Sequence, residues 1–248
     1  MNRNSVIIHD MKKIVEFQEK KQLYITDDPK ELEILLGQKV PAVALLNEKN
    51  RNLPWPHTDY AIENFEQMTT NDLYRIYQRI VGESWEILQT PRLMIREMTV
   101  DDVDRFYELY KDPSITEYME NLFENPEDER LYTRNYIKDI YGFYGFGLWT
   151  VILKETGEII GRAGISYRDG FDIPELGFMI GKDYQRKGYA KEAIEAILKY
   201  AKQELGFDTI QALVLENNIP SVNLLKKMNF TFSCRRYQDY LIALHTYA

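Results

Sequence analysis

The chain has 248 residues, which is enough for one or two domains of ordinary size. Its 31 basic and 39 acidic residues give a formal net charge of −8, which argues against a protein whose main task is to bind nucleic-acid phosphates. The 13% of aromatic residues argue against disorder, and the single cysteine, Cys234, excludes an internal disulfide and a cysteine-based zinc site.

Two further features of the sequence concern the compartment in which the chain works. No run of residues approaches the ~18 consecutive apolar residues that a membrane helix needs. The first residues, MNRNSVIIHDMKK, lack the long apolar region of a signal peptide. We therefore expect a cytoplasmic protein that has no membrane partner.

Short apolar strands alternate with helices in the first third of the chain. Strands are predicted at 22–26, 40–46 and 59–62, and helices at 29–37 and about 70–80. Asp28 is predicted to cap the first helix, because Pro29 follows it in the first turn and Glu31 lies three residues after it. The alternation predicts a small parallel α/β domain over residues 1–88.

The pattern changes near residues 82–92, where a helical pattern stops and Pro91 precedes a new strand. A second domain is therefore predicted over residues 89–248. Thr99 is predicted to cap its first helix, with Asp102 in the capping-box position. Strands are predicted at 93–97, 148–153, 159–166, 175–180 and 209–215 with two more at the end, helices at 189–205 and 221–228, and a partly helical region at 114–141.

The segment ELGFMIGKDYQRKGYA, residues 175–190, combines a strand, a short loop and the start of the long helix. Its pattern Gln/Arg-x-x-Gly-x-Gly/Ala consists of Gln185, Arg186, Lys187, Gly188, Tyr189 and Ala190. The first N–H groups of a helix lack internal partners and its dipole adds about half a positive charge there. Gly188 and Ala190 leave room for a pyrophosphate against the backbone, so the segment indicates anion binding. The alternative is a basic helix cap without a ligand.

Three other segments flank this one in a characteristic order: TPRLMIREMTVDDVDRFYELY, WTVILKETGEIIGRAGI and, after the long helix, LVLENNIPSVNLLKKMNF. Together the four segments resemble the GNAT superfamily of acyl-CoA-dependent N-acyltransferases over roughly residues 90–246. The most similar subgroup is that of ribosomal-protein N-terminal acetyltransferases, which also includes small-molecule modifiers. The resemblance implies an α/β (α+β) GNAT fold, with a mixed central sheet and splayed fourth and fifth strands, beside the small N-terminal α/β domain.

The resemblance also implies where acetyl-CoA would bind. In the family the fourth strand carries a bulge and splays from the fifth, which opens a slot for the pantetheine arm. The arm would pair with backbone groups of Phe178, Met179 and Ile180. One N–H there would face the thioester oxygen and stabilise the oxyanion of the tetrahedral intermediate.

The same resemblance assigns residues to the phosphate end of CoA. Backbone amides of residues 185–190 would hold the pyrophosphate. Asn218 and Ser221 would contact CoA from the other side, and Lys227 would reach its phosphate end. No metal is expected, since His9, His57 and His245 lack metal-ligand spacing.

Glu175 occupies the position that a general base often has in the family. An alkyl amine has a pKa of about 10, so a carboxylate has to take its proton, directly or through water. The alternative is a surface glutamate paired with a nearby lysine or arginine. The family's usual tyrosine, which protonates the leaving thiolate, is replaced by Leu225, so water or another tyrosine such as Tyr189 would take that role.

Three other features receive structural interpretations. Cys234 lies in a predicted terminal strand and is expected to be a buried apolar thiol rather than a nucleophile. The aromatic run 141–149 is expected to pack in the core and hairpin, with some rings as candidates for the acceptor pocket. The acidic stretch 117–129 is either an acceptor-specificity element or a solvated helical face.

The segment YITDDPKELEILLGQKVPAVALLNEKN faintly resembles the last aspartate loop of the haloacid dehalogenase superfamily. The Asp-x-Asp nucleophile loop of that family is missing, and capping by Asp28 is favoured over metal binding. The first domain is therefore expected to be non-catalytic. Its candidate roles are to shape the acceptor site, to mediate formation of a homodimer or to bind a regulator.

The primary hypothesis is an N-acetyltransferase that moves an acetyl group from acetyl-CoA to a primary amine by direct sequential transfer. The acceptor would be a small molecule or a peptide N-terminus. One alternative is an acyl-CoA-binding sensor with weak or no catalysis, which the replacement at Leu225 and the extra domain motivate. A weaker alternative is a modifier of aminoacyl-RNA, which the charge of −8 disfavours.

Overall fold

A computed structural model describes residues 5–9 and 12–247, with side chains from residue 14 onward. The chain divides into two compact units, Met1–Trp85 and Glu86–Ala248. No helix in the described part of the chain combines the length and the apolar character needed to cross a membrane.

The first unit contains a five-stranded sheet in the order β1-β2-β3-β4-β5. The strands are β1 (Ser5–His9), β2 (Lys12–Glu16), β3 (Gln22–Thr26), β4 (Ala42–Leu45) and β5 (Ala61–Ile62). The parallel arrangement that the sequence predicts holds for β3, β4 and β5, but β1 and β2 pair antiparallel, and β2 pairs antiparallel with β3. The sheet is therefore mixed, because two residues between β1 and β2 leave no room for a crossover.

Two helices complete the first unit, α1 (Pro29–Gly37) and α2 (Thr70–Val81). The predicted cap of α1 is confirmed, since Oδ1 of Asp28 accepts a hydrogen bond from the Lys30 N–H at 2.9 Å. Leu73 and Tyr77 of α2 pack into a core that includes Leu23 and Val43 of the sheet. The first unit thus has a small hydrophobic core of its own.

The second unit contains an eight-stranded sheet in the order β12-β13-β11-β10-β9-β8-β7-β6. Its strands are β6 (Glu86–Gln89), β7 (Leu93–Arg96), β8 (Leu148–Leu153), β9 (Ile159–Ser166), β10 (Glu175–Ile180), β11 (Thr209–Leu215), β12 (Thr231–Tyr237) and β13 (Tyr240–Thr246). Neighbouring strands pair antiparallel except β10 and β11, which are parallel, so the predicted mixed central sheet is confirmed. The extra strand β6 spans the predicted boundary between residues 88 and 89.

Helices cover the second sheet and its connections. They are α3 (Val103–Tyr110), α4 (Pro113–Thr116), α5 (Pro126–Asn135), α6 (Gly142–Tyr144), α7 (Tyr189–Gln203) and α8 (Ile219–Lys227), with a π-helical segment at Tyr136–Tyr141. The predicted capping box of Thr99 and Asp102 is confirmed, although the turn that it starts is a 3-10 turn. The apolar face of α7 buries Ile194 and Ile197, which explains the helical spacing of its apolar residues.

The aromatic run before β8 divides between core and surface. Tyr141, Phe146 and Trp149 are buried, as core packing requires. Phe143 is 80% exposed and Tyr144 is also exposed. The expectation of core packing is therefore confirmed for three of these rings, and the other two face solvent.

Candidate active site

The central feature of the second unit is a fork between β10 and β11. In the described residues these strands pair only at Glu175 and Gln211, where the Gln211 N–H donates to the Pro174 carbonyl at 2.9 Å. Beyond this point β10 stays paired with β9 as far as Ile180, while β11 pairs with β13. The splayed strands that the sequence predicts are therefore confirmed.

The backbone N–H and C=O groups of every second residue of β10 point into the fork. Gly181 donates its N–H to the Ile160 carbonyl at 2.8 Å, so every second residue before it also directs its backbone groups toward β9. Met179 belongs to that set, whereas Phe178 and Ile180 direct theirs into the fork. The pairing of β10 with β9 has no register shift, so the expected bulge is absent from this pairing.

The amide side chain of Gln185 contacts β10 at the open end of the fork. Its Nε2 donates to the Ile180 carbonyl at 2.9 Å, which leaves the Phe178 backbone as the more open position. At the other end the side chain of Gln211 is buried, and its Nε2 has no hydrogen-bond partner among the described residues. The fork therefore contains polar groups that a ligand could satisfy.

The loop that precedes α7 has the shape of an open turn. Arg186 and Gly188 have φ angles of 60° and 84°, which are in the left-handed region, and α7 begins directly after Gly188. Residues 185–188 are exposed, and Tyr189 and Ala190 are partly exposed. The loop that leads into α7 is thus at the surface, and the first N–H groups of the helix lack partners within the helix itself.

Arg92 and Glu192 form an ion pair beside this loop that the sequence analysis missed. The Nε of Arg92 lies 2.6 Å from Oε2 of Glu192, and Oε1 of Glu192 accepts from the Arg92 N–H at 2.9 Å. Thr90 donates its hydroxyl to the same Oε1 at 2.6 Å. The partners lie about a hundred residues apart, so no local pattern in the sequence connects them.

Glu175 lies at the closed end of the fork and is 8% exposed. Arg168 contacts both of its oxygens, Nε to Oε2 at 2.5 Å and Nη2 to Oε1 at 3.0 Å. The hydrogen bond to Glu175 raises the pKa of Arg168, and partial burial of the guanidinium opposes this shift without cancelling it. Glu175 therefore has the arginine partner of the alternative interpretation but not the surface position.

A cavity of about 450 Å³ opens next to Arg168. Its lining consists of Tyr144, Tyr167, Arg168, Asp169, Gly170, Phe171 and Asp172. Phe171 contacts Tyr237 of β12 at a centroid distance of 5.0 Å, so the loop before β10 packs against the last hairpin. Within the acidic stretch 117–129, the charge of Glu120 raises the pKa of Arg168, whereas Glu129 is buried.

The residues predicted on the other side of CoA lie in α8. Asn218 caps this helix, and its Oδ1 accepts from the Ser221 N–H at 3.2 Å. Lys227 is exposed in the last turn. Leu225 is 1% exposed in the core, so this position offers no proton donor. Tyr189 lies under the Arg92 guanidinium, 4.5 Å from its centre.

The expectation of a buried Cys234 is wrong, because this thiol is exposed. It belongs to β12, an edge strand whose residues have a strand neighbour on one side only. Within the described part of the chain, no three His, Cys, Asp or Glu side chains are grouped so that they could hold a metal ion. His9 has no described side chain.

Comparisons with known proteins place this site in a family context. Residues 92–231 match the family model described as "Acetyltransferase (GNAT) domain". A Bacillus licheniformis protein, "Uncharacterized N-acetyltransferase p20", is 32% identical over 149 residues, which are 58% of this chain and 82% of that relative.

Two solved structures share the fold at low sequence identity. Ribosomal-protein-S5-alanine acetyltransferase from Vibrio fischeri has a TM-score of 0.54 and 14% identity, and the match covers 66% of this chain and 96% of that chain. Spermidine N-acetyltransferase from Vibrio cholerae, solved in complex with CoA and spermine, has a TM-score of 0.53 and 21% identity, with 63% and 96% covered.

Proposed function

The chain belongs to the GNAT acetyltransferase family, and from that premise we propose that it transfers an acetyl group from acetyl-CoA to a primary amine by direct sequential transfer. The observation that carries the proposal is the fork between β10 and β11. After the pair of Glu175 and Gln211, the Phe178 backbone faces a gap instead of a neighbouring strand. A gap of this kind accepts an extended chain with amide groups, as the pantetheine arm has.

The residues present fit the donor substrate at both of its ends. Phe178 and Ile180 offer backbone groups to the pantetheine arm, although Gln185 has to share the Ile180 carbonyl. Residues 186–190 would offer their amides at the start of α7 to the pyrophosphate, whereas the Gln185 N–H already donates to the Lys182 carbonyl at 3.2 Å. Met179 would contribute its side chain rather than its backbone, because its backbone groups face β9.

We propose that Ser221 and Lys227 contact CoA from the far side of the donor site. Asn218, which the sequence also assigned to CoA, is given a different role. The Asn218 side chain already caps α8, so it would position this helix rather than bind CoA through its carboxamide oxygen. The Ser221 hydroxyl and the exposed Lys227 ammonium remain available for CoA. Lysine suits the phosphate end because its ammonium is a mobile point charge.

Glu175 is proposed as the group that receives the proton of the acceptor amine. In the reaction the acceptor ammonium first gives one proton to Glu175. The amine nitrogen then forms a bond to the acetyl carbon, the carbon–sulfur bond breaks, and the second proton of the nitrogen passes through water to the leaving thiolate, since Tyr189 lies at the phosphate loop. Because Arg168 holds both oxygens of Glu175, the ammonium form of the acceptor would first replace the guanidinium. This exchange keeps the buried carboxylate paired at each stage.

The surroundings of Arg168 favour a cationic acceptor. The charge of Glu120 acts on the guanidinium, and Asp169 and Asp172 line the neighbouring cavity together with two tyrosines. Carboxylates and aromatic faces both attract ammonium groups. Small amines and peptide N-termini share this chemistry, and the two solved relatives named above are described as acting on one class each.

A second candidate function is an acyl-CoA sensor without catalysis. Two observations favour it, namely the core position of Leu225 and the two-point contact of Arg168 with Glu175. In a sensor this ion pair would stay closed in the presence of amines, and the fork would serve for binding only.

Acetyl transfer is tested with acetyl-CoA and a panel of amines that contains diamines, amino acids and peptides with free N-termini. Mass spectrometry should find one acetylated amine product for each CoA released. Intact-protein mass in the absence of amine should show no acetyl group on the chain, Cys234 included, since transfer is direct. Tight CoA binding without any acetylated amine would support the sensor instead.

A further inference from the structure

The start of α7 contains an acidic side chain that conflicts with anion binding. Glu192 lies in the first turn of the helix, and its side chain is 16% exposed. A carboxylate in the first turn stabilises a helix by itself, but it also repels a phosphate that uses the same turn. The proposed pyrophosphate site therefore needs a counter-charge close to Glu192.

Arg92 supplies that charge and contacts the loop at the same time. One edge of its guanidinium pairs with Glu192 through Nε at 2.6 Å. The other edge donates through Nη1 to the Lys187 carbonyl at 2.9 Å. The planar group also covers the Tyr189 ring, with 4.5 Å between the guanidinium carbon and the ring centroid.

The same guanidinium reaches the left-handed turn at Gly188. A Cβ atom built on Gly188 would lie 3.3 Å from Nη2 of Arg92, the nearest heavy atom there. The Lys187 carbonyl that Arg92 holds is the one directly before this turn. Arg92 thus contacts the backbone of the residue before Gly188 and the ring of the residue after it.

We propose that Arg92 is a positioning residue for the phosphate end of acetyl-CoA. It neutralises Glu192 at the start of α7, and it holds the turn 187–189 so that the amides of the helix start point outward. This inference rests on the proposed function, because it needs a phosphate-bearing donor at this loop. A lysine could not replace Arg92, since one ammonium cannot reproduce the planar contacts to a carboxylate, a carbonyl and a ring.

The test compares two ligands that differ in their phosphates, CoA and pantetheine. Dissociation constants are measured for the full chain and for Arg92→Ala, Arg92→Lys and the double variant Arg92→Ala with Glu192→Gln. Lys202→Ala is the matched control, because Lys202 forms an ion pair with Asp208 at 2.8 Å near the opposite end of α7.

Arg92→Ala should weaken CoA binding about tenfold or more, since it removes a positive charge and leaves the Glu192 carboxylate without its counter-charge. The dissociation constant of pantetheine should stay within about twofold of the wild-type value, because pantetheine lacks the phosphates whose binding Arg92 supports. Glu192→Gln should restore part of the lost CoA affinity in the Arg92→Ala background. Lys202→Ala should bind both ligands as the wild type does.

Several outcomes would overturn the inference. They are unchanged CoA binding by Arg92→Ala, equal losses for CoA and pantetheine, and a double variant that binds CoA no better than Arg92→Ala. Should Arg92→Ala fail to fold, Arg92→Lys provides the same comparison, and equal CoA affinity in Arg92→Lys and wild type overturns the proposal. A wild-type protein that binds no CoA would overturn the proposed function and this inference with it.

Discussion

The guanidinium of Arg168 holds both oxygens of Glu175 at the closed end of the fork between β10 and β11. The two side chains differ in exposure, since that of Glu175 is 11% exposed and that of Arg168 is 43% exposed. The arginine can therefore leave toward solvent while the carboxylate stays in place. This relationship connects the proposed proton acceptor to the surface from which we propose that the amine would arrive.

Glu175→Gln should lower kcat about a hundredfold or more, because an amide cannot accept the amine proton. The dissociation constant of CoA should stay unchanged, since Glu175 lies at the opposite end of β10 from the proposed phosphate loop. Steady-state kinetics over a range of pH, together with calorimetric titration of CoA, check both expectations. Glu195→Gln, which removes an exposed partner of Lys191 on α7, is the matched control and should keep full activity.

An unchanged kcat of Glu175→Gln at every pH would remove this residue from the proton transfer. The ion pair with Arg168 would then be structural, and the proton acceptor would have to be water.

Gly188→Leu should weaken CoA binding by about tenfold or more, because the new side chain stands at the start of α7 where the pyrophosphate is expected. The φ angle of 84° also strains any residue other than glycine by about 1–2 kcal/mol. Gly206→Leu is the control for this strain, since Gly206 has a φ angle of 72° and no heavy atom near its missing Cβ. Both variants should lose similar stability in thermal unfolding, and only Gly188→Leu should lose CoA affinity.

The local elements around this site could be predicted from the sequence, and the long-range pairs could not. The strand 175–180, the turn at Gly188 and the helix that follows it all have short-range signals, namely apolar runs, a glycine and a periodic helix face. The contact of Glu192 with Arg92 joins residues about a hundred positions apart, which only the folded sheet brings together. For Glu175 the sequence allowed for a basic partner, and what it did not predict is that the pair with Arg168 buries the carboxylate. The sequence around a buried charged residue looks the same as the sequence around an exposed one.

The first unit illustrates a different limit. The capping signal at Asp28 predicted the start of α1 correctly, because it depends on neighbouring residues only. Strand β1 and strand β2 were missed, since neither a glycine nor an Asn-Gly turn separates them. Because these two strands pair antiparallel, the sheet is mixed and not parallel as predicted.

Asp102→Asn should lower the free energy of unfolding at pH 7 by about 3–5 kcal/mol, because it leaves the Arg96 guanidinium without its charged partner. Arg96 contacts both oxygens of Asp102 at 2.7 Å, and Thr150 donates to one of them at 2.8 Å. Burial by itself raises the pKa of Asp102, but these hydrogen bonds and that of the Thr99 N–H outweigh it, so the pKa lies below its ordinary value.

The sign of the pH dependence follows from that lowered pKa. The stabilisation by the Asp102 carboxylate is present above the unfolded value of about 4 and is lost as the pH falls through the folded value. Urea unfolding should therefore show a difference between wild type and Asp102→Asn that is large at pH 7 and narrows below about pH 4. Asp208→Asn, at an exposed ion pair, should change little at either pH, and an equal loss there would contradict the account.

A truncated protein that contains only residues 86–248 should fold and bind CoA with the affinity of the full chain, because the proposed donor site lies within this unit. A version that begins at Gln89 should be less stable by about 2 kcal/mol, since it lacks the buried Ile87 and part of β6. Circular dichroism melting and calorimetric titration check these expectations. Loss of CoA binding by residues 86–248 in a folded state would assign part of the donor site to the first unit.

A crystal structure of the protein with CoA bound tests the donor site most directly. The pantetheine arm should lie between β10 and β11, in contact with the Phe178 backbone, and the thiol should end near Glu175. The pyrophosphate should lie against the amides of residues 185–190, with Arg92 beside it. Density for CoA outside the fork, or a fork closed by direct pairing of β10 with β11, would contradict the proposed site.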